Sequence, residues 1–253
     1  MKKFVHALVL AGLVGAPALA MAAEKPVSPH SLIGNISLTS DYVFRGVSQT
    51  QNGPAIQGGI DYAHASGFYL GAWASNVAWV KEGGYKDDSS MEIDLYGGYK
   101  GSLGDVGYDV GAITYYYPGD KISGVKTPDT TEIYLGGSWK FLSAKYSYVV
   151  SQNFIGWYDY DLDKKSRGSS YLELNAAYDL GGGWGVMGHV GHQKVKNLSD
   201  ADYTDWKIGV SKDIGFGTVA LAYSDTNADD NIYTISDEKI ADGRVFVSFS
   251  KSF

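Results

Sequence analysis

Apolar and polar residues alternate along most of this chain. Between Leu32 and Phe44 the even positions are mostly apolar, whereas odd positions such as Asn35, Ser37 and Asp41 are polar. A period of two with one apolar face is typical of a β-strand. The pattern recurs and predicts twelve strands, most of them 10 to 12 residues long: Ser31–Arg45, Pro54–His64, Phe68–Val77, Met91–Lys100, Val106–Tyr117, Thr130–Trp139, Phe141–Val150, Ser170–Leu180, Trp184–Gln193, Tyr203–Asp213, Phe216–Asp225 and Arg244–Phe253.

The connections between these strands alternate broadly between two lengths. The short ones are Ala65–Gly67, Gly101–Asp105, Lys140, Gly181–Gly183 and Ile214–Gly215. The long, polar ones are Gly46–Gly53, Ala78–Ser90, Pro118–Asp129, Ser151–Ser169, Lys194–Asp202 and Thr226–Gly243.

Strands of this length, in an even number and with alternating loop lengths, are typical of outer-membrane barrels. Lipid offers backbone groups no hydrogen-bond partners, so a spanning sheet must close on itself. We therefore expect an all-β fold: a closed, antiparallel, up-and-down transmembrane β-barrel of about twelve strands over residues 31–253. Both termini are then expected on the periplasmic side of a bacterial outer membrane.

The first residues predict export from the cytoplasm. Lys2 and Lys3 are basic, the stretch from Phe4 to Ala20 is apolar, and small residues follow as far as Ala22. This is the layout of a secretory signal peptide. We expect residues 1–22 to be cleaved, leaving residues 23–30 as a short periplasmic segment. The alternative interpretation is an uncleaved membrane anchor.

The composition excludes some partners. Without Lys2 and Lys3 the chain has 19 basic and 28 acidic side chains, a net charge of −9, which argues against nucleic acid. There is no cysteine and hence no disulfide. The 20 tyrosines and 33 glycines favour β structure. No cofactor is expected.

The last predicted strand carries a separate signal. Val245, Val247, Phe249 and Phe253 share one face, and serines occupy the other. A terminal aromatic residue after an alternating strand resembles the C-terminal signal that the outer-membrane assembly machinery recognises. We therefore expect this machinery and outer-membrane lipid as partners, with Phe253 as the assembly signal.

Several segments of the chain carry a resemblance to one known family. They are Ser40–Thr50, Pro54–Tyr62, Ser66–Tyr69, Ser75–Val77, Glu92–Tyr99, Tyr108–Gly111, Tyr117–Gly119, Glu132–Tyr134 and Tyr171–Asn175. These segments resemble the TorF family of porins, which was earlier a bacterial group of unknown function. The resemblance covers most of the predicted mature chain and is densest before residue 140. It implies a porin-like outer-membrane barrel and brings no defined substrate or site.

The predicted inner face carries nine acidic and five basic side chains, Asp179 and Lys100 among them. Such an excess favours a pore that prefers cations. The alternative is that the charges pair across strands and fill a narrow barrel, while inward tyrosines either stack on solutes or simply pack. The candidate pore-lining residues are Asp41, Arg45, Asp61, Glu92, Asp94, Tyr96, Asp109, Tyr115, Glu132, Tyr134, Lys145, Tyr171, Glu173, Asp205, Lys207 and Arg244.

Other aromatic and basic residues fall on the outward face. Lys212 and Lys251 lie near predicted periplasmic ends, where long side chains reach the interface. The outward aromatic residues predict a girdle at the membrane interfaces: Tyr42, Tyr99, Trp139, Tyr146, Trp206 and Tyr223.

A metal site is not expected. Asp159, Asp161 and Asp163 have the spacing that opens a calcium loop. The sixth position is Lys164 instead of glycine and the twelfth is Ser170 instead of glutamate, so the loop departs from that pattern.

Three classes of function remain, and a channel for passive diffusion of small hydrophilic solutes fits best. A non-conducting structural or adhesive barrel is the alternative. An enzyme is not expected, because the sequence has no G-x-S-x-G motif and a lone inward residue such as His189 is typical of packing.

Overall fold

A computed structural model describes residues 28–253, which form a closed antiparallel β-barrel. The predicted signal peptide lies outside the described residues. Each strand pairs with its neighbours in sequence, and the first closes on the last through register pairs from Asn35–Ser252 to Thr39–Ser248. The strands are β1 (His30–Thr39), β2 (Ala55–His64), β3 (Phe68–Asn76), β4 (Met91–Leu103), β5 (Val106–Tyr116), β6 (Thr130–Trp139), β7 (Leu142–Val149), β8 (Ser170–Gly181), β9 (Trp184–Lys194), β10 (Tyr203–Asp213), β11 (Thr218–Thr226) and β12 (Arg244–Ser252).

The predicted fold class and strand number are confirmed, and most strand bounds agree within a few residues. The alternation of connections is stricter than the sequence indicated. Every odd-numbered strand up to β11 is followed by a long connection and every even-numbered strand up to β10 by a short one. All long connections therefore lie at one end of the barrel, the long-loop end. The short turns and the C-terminal residue lie at the other, the short-turn end.

The outer face of the barrel is apolar. Leu32, Leu174 and Val245 point away from the lumen and are more than half exposed. Trp139, Tyr146 and Trp206 are exposed on the same face, as predicted, and Tyr99 and Tyr223 alternate with inward residues there. Apolar surfaces of this extent are typical of barrels that face lipid and are unusual in proteins whose surface faces water.

Two lysines interrupt this face near the short-turn end. Lys212 donates a hydrogen bond to the Gly182 carbonyl at 2.6 Å and lies over the ring of Trp184, and Lys251 is exposed. Both therefore lie near the end of the barrel, where their long side chains can reach water.

None of the helices within residues 28–253 is long and apolar enough to cross a membrane. The longest is the four-residue helix Trp79–Glu82 in the second long loop. A single 3₁₀ turn, Ser199–Ala201, lies in the fifth.

Burial of the inner face changes along the barrel axis. On β6, Glu132 is buried, Tyr134 is half-buried and Ser138 is exposed; on β8, Tyr171 is buried and Asp179 is exposed. In both strands exposure increases toward the short-turn end. The lumen is therefore filled at the long-loop end and reaches solvent at the other.

Apolar residues of the long loops pack together over the filled end. Val47, Phe154, Val195 and Tyr233 come from four different loops and belong to one buried cluster. A second cluster includes Trp79 of the short helix. We call these packed loops the loop cap. Apolar burial is their main stabilising contribution.

The first predicted strand is wrong at its C-terminal end. It ends at Thr39 and does not continue to Arg45. Residues 41–50, here called the inward segment, fold into the lumen. Tyr42 is accordingly buried and not part of an outward girdle, because its ring packs edge-on against Trp73 with centroids 5.4 Å apart.

Candidate functional site

The inward segment is a small hairpin held by one carboxylate. Val43–Phe44 pairs with Val47–Ser48. Asp41 accepts hydrogen bonds from Ser48 Oγ at 2.6 Å, from Thr50 Oγ1 at 3.1 Å and from Arg244 Nη1 at 3.0 Å. Asp41 therefore joins both ends of the hairpin to β12.

The tip of this hairpin projects into the lumen and touches β10 and β11. Gly46 has a φ of +80°, and a Cβ there would lie 2.4 Å from Thr226 Cγ2 and 2.6 Å from Asp205 Cβ. Only glycine fits a position with this backbone conformation and this contact. The adjacent Arg45 also has a positive φ, of 48°.

Arg45 fixes the tip to the far side of the barrel. Its guanidinium makes two hydrogen bonds to the Glu132 carboxylate, at 2.7 and 3.0 Å, and a third to Gln193 Oε1 at 3.0 Å. It also lies 4.3 Å from the centroid of the Tyr171 ring. Paired hydrogen bonds of this kind are strong and directional. The sequence predicted that Arg45 lines the lumen from a strand. In the structure Arg45 lines the lumen from a loop.

A cavity that is open to solvent lies between the inward segment and the short-turn end. Nine of the candidate residues line it: Arg45, Asp94, Tyr96, Tyr115, Lys145, Tyr171, Glu173, Asp205 and Lys207. The other candidates project inward without lining it: Asp41, Asp61, Glu92, Asp109, Glu132, Tyr134 and Arg244. The inner face is thus polar and charged over most of its length.

One wall of the lumen, β7 to β10, combines acids and bases. Lys145 Nζ lies 2.9 Å from Glu173 Oε1. Tyr171 donates to Asp205 Oδ1 at 2.8 Å, and His189 Nε2 lies 2.9 Å from Asp205 Oδ2. Lys207 lies on the same wall and also has an interaction partner. The charges here are largely compensated within the wall.

The opposite wall, β2 to β5, is predominantly acidic. Asp61 accepts from Tyr96 at 2.5 Å, Glu92 from Tyr42 at 2.7 Å and Asp109 from Tyr69 at 2.7 Å. Neither these three carboxylates nor Asp94 makes a salt bridge within residues 28–253. The excess negative charge of the lumen is therefore concentrated on one side.

Sequence reasoning missed three residues of the site. Tyr69 and Trp73 share the inner face of β3, and the alternation within Phe68–Asn76 was the signal that places them there. Gln193 is fully buried and bonds Arg45, a contact between distant positions that no local pattern indicates.

Neither the loop that carries Asp159, Asp161 and Asp163, here called the acidic loop, nor the lumen assembles a metal site. Among the residues that the structure describes, no three His, Asp or Glu side chains come together in a way that could hold a metal ion. In the acidic loop, Asp159 and Asp163 are instead used locally. Asp159 accepts from the backbone of Leu162 at 2.9 Å, and Asp163 accepts from the hydroxyl of Tyr158.

Phe253 lies outside the lumen at the short-turn end. Its backbone exchanges two hydrogen bonds with Gly34, of 2.9 and 3.0 Å, and its ring is exposed. The last residue thus extends the pairing of β12 with β1.

Solved structures of porins share this fold. A KdgM porin is 12% identical, with a TM-score of 0.53 and coverage of 88% of this chain and 99% of the porin. A NanC porin is 10% identical, with a TM-score of 0.53 and coverage of 87% and 98%. A KdgM porin in complex with disordered oligogalacturonate is 12% identical, with a TM-score of 0.52 and coverage of 88% and 99%.

Comparison with curated proteins finds no match. A family model described as "Bacterial protein of unknown function" matches residues 23–253. That description does not confirm the TorF name, which stays a prediction. The match spans nearly the whole chain, and the protein therefore belongs to the Gcw_chp family.

Proposed function

We propose that this protein is a porin-like channel of the outer membrane, for passive diffusion of small hydrophilic solutes. The observation that carries the proposal is an open cavity, lined by charged and aromatic side chains, inside a closed barrel whose outer face is apolar. A lipid-facing exterior around a water-accessible interior is what a channel requires.

The outer face supports the location. Large apolar side chains cover the strands, and aromatic residues lie toward both ends, such as Trp139 near the short turns and Trp206 near the long loops. In outer-membrane barrels the short turns face the periplasm. Both termini, with Phe253 as the assembly signal, then lie on the periplasmic side.

The charge of the lumen supports a preference for cations and neutral solutes. This charge differs from what an anionic ligand would require: one similar structure is a KdgM porin in complex with disordered oligogalacturonate, which is an anion. In this protein Asp61, Glu92, Asp94 and Asp109 lie on one wall of the lumen, and none of them makes a salt bridge within residues 28–253. We expect this wall to lower the barrier for cations and raise it for anions.

The inward segment acts as a gate in this proposal. It closes the lumen beneath the loop cap, and the cavity opens only toward the short turns. Passage through the barrel therefore requires the tip at Arg45 and Gly46 to leave the far wall. The burial of the inner face at the long-loop end also favours a second candidate, a barrel that does not conduct.

An enzyme is less well supported. The partners of His189 are Tyr171 at 2.9 Å, Asn175 at 2.7 Å and Asp205 at 2.9 Å. Such a histidine joins three strands, and its ring has no serine nucleophile next to it within the described residues.

Liposome swelling tests the proposal. The refolded full chain in liposomes should admit a small sugar such as arabinose faster than protein-free liposomes do, and should exclude dextran. Swelling at the protein-free rate, both for the native chain and for a variant with Arg45 replaced by alanine, would instead support the non-conducting barrel.

A further inference from the structure

Trp73, Asp94 and Tyr115 form a row across three adjacent strands. The register pairs Trp73 with Asp94 and Asp94 with Tyr115, so the carboxylate lies between the two aromatic residues. Side chains directly opposite each other on neighbouring strands lie in contact range. All three line the cavity.

Asp94 differs from the carboxylates around it. It is 6% exposed, and its Oδ1 is buried without a hydrogen-bond partner. By contrast, Glu92 and Asp61 on the same wall each accept a tyrosine hydroxyl. A buried carboxylate oxygen without a hydrogen-bond donor is costly, and a cation entering the cavity would offset that cost.

Further aromatic side chains lie beside Trp73 and Tyr115, around Asp94. Tyr42 packs edge-on against Trp73, and Phe44 packs edge-on against Tyr115 with centroids 5.6 Å apart. Tyr96, two residues from Asp94, lines the same cavity. Faces of aromatic rings attract cations, and those of tryptophan attract them most strongly.

We propose that this row is a binding site for an organic ammonium group with apolar substituents. The ammonium charge pairs with Asp94, and the substituents contact Trp73 and Tyr115. This inference deepens the proposed function, because the solute reaches the site through the same cavity. A bare metal ion fits less well, since no three acidic or histidine ligands converge within residues 28–253.

The lysines of the opposite wall do not remove this preference. Lys145 also lines the cavity, but its ammonium is paired with Glu173 at 2.9 Å. Within residues 28–253 Asp94 makes no such pair, so the aromatic part of the cavity wall carries a carboxylate without a salt bridge.

Calorimetric titration of the detergent-solubilised full chain tests the proposal, with choline as the probe. Choline should bind saturably. Its neutral isostere, 3,3-dimethylbutan-1-ol, should bind at least about tenfold more weakly because it cannot pair with a carboxylate. Equal binding of both compounds, or no saturable heat for either, would overturn the proposal without any variant being made.

Two variants locate the site. Asp94→Asn should weaken choline binding by at least about tenfold, the usual loss when the charged partner of a cation is neutralised. Asp200→Asn makes the same chemical change at an exposed position of the fifth long loop and should leave binding unchanged. Heat-modifiable migration on gels shows that each variant is folded.

The two proposals fail separately, because binding in detergent needs no transport. Choline binding that depends on Asp94 in a protein that does not conduct would keep the site and reject the channel. Conductance without choline binding, or with binding that survives Asp94→Asn, would reject the site and keep the channel.

Discussion

At the scale of single residues, the sequence Phe44-Arg45-Gly46 holds the inward segment in place within the lumen. Glycine allows the tip to approach Asp205, and arginine supplies the paired hydrogen bonds to Glu132. Phe44 packs against Tyr115 beneath them. A lysine at position 45 would lack the planar group that makes paired hydrogen bonds to a carboxylate. An alanine at position 46 would place its Cβ too close to Thr226 and Asp205.

Removing the guanidinium should release the gate. In Arg45→Ala the inward segment loses its attachment to Glu132 and Gln193, so we expect faster liposome swelling with arabinose than for the native chain. Breaking a buried ion pair also costs about 3–5 kcal/mol of stability. Lys81→Ala, which removes an exposed charge in the loop cap, is the control and should change neither property. Unchanged swelling in Arg45→Ala would show that the segment does not gate the lumen.

Adding a methyl group at Gly46 tests the close contact of the hairpin tip with Thr226 and Asp205. Gly46→Ala places a Cβ 2.4 Å from Thr226 Cγ2 at a φ of +80°. Gly104→Ala is a matched control, because its φ is +62° and nothing lies within 4 Å. Backbone strain of about 1–2 kcal/mol is common to both variants. The denaturant midpoint in detergent should fall further for Gly46→Ala, and equal midpoints would contradict the proposed close contact.

The sequence could identify which residues face inward but not what they contact. Asp94 and Glu132 follow from alternation within their own strands. The contact between Arg45 and Glu132 joins positions far apart in the chain, and no local pattern specifies it. The absence of a hydrogen-bond donor at Asp94 depends on the positions of all its neighbours.

At the scale of elements, the period of two predicted the barrel strands well and the inward segment poorly. Tyr42 and Phe44 continue the apolar phase of β1, so the pattern extends the strand to Arg45. Alternation cannot distinguish an apolar side chain that meets lipid from one that packs inside the barrel. The two-residue strands at Val43–Phe44 and Val47–Ser48 are also too short to produce a periodic signal.

The orientation of β8 gives a test of the lipid-facing surface. Leu174 and Leu180 both point outward, the first within the strand and the second near the short-turn end. Leu174→Arg should lower the unfolding free energy in lipid vesicles by about 2–4 kcal/mol, and Leu180→Arg by about 0–1 kcal/mol. A reversed order of the two costs would mean that the membrane lies elsewhere on the barrel.

At the scale of the whole molecule, three layers have different chemistry. The outside is apolar, the inner wall is polar with an acidic side, and the loop cap closes one end with apolar clusters. The fold class was predictable because strand length and loop alternation are properties of the whole chain. The filling of the lumen at its long-loop end was not predictable from the sequence, because it depends on contacts between loops that are far apart in the chain.

The acidic wall should set the ion preference. Combining Glu92→Gln, Asp94→Asn and Asp109→Asn removes three negative charges from one side of the lumen. We expect the reversal potential in a salt gradient to shift toward that of a non-selective pore. A triple variant with the native reversal potential would show that these carboxylates do not control selectivity.

Single-channel conductance of the refolded protein in a planar bilayer is the direct test of the proposed channel. We expect discrete steps that are infrequent in the native chain, more frequent in Arg45→Ala, and cation-preferring under a salt gradient. A folded barrel in which neither protein conducts would contradict the channel and leave a closed structural barrel in its place.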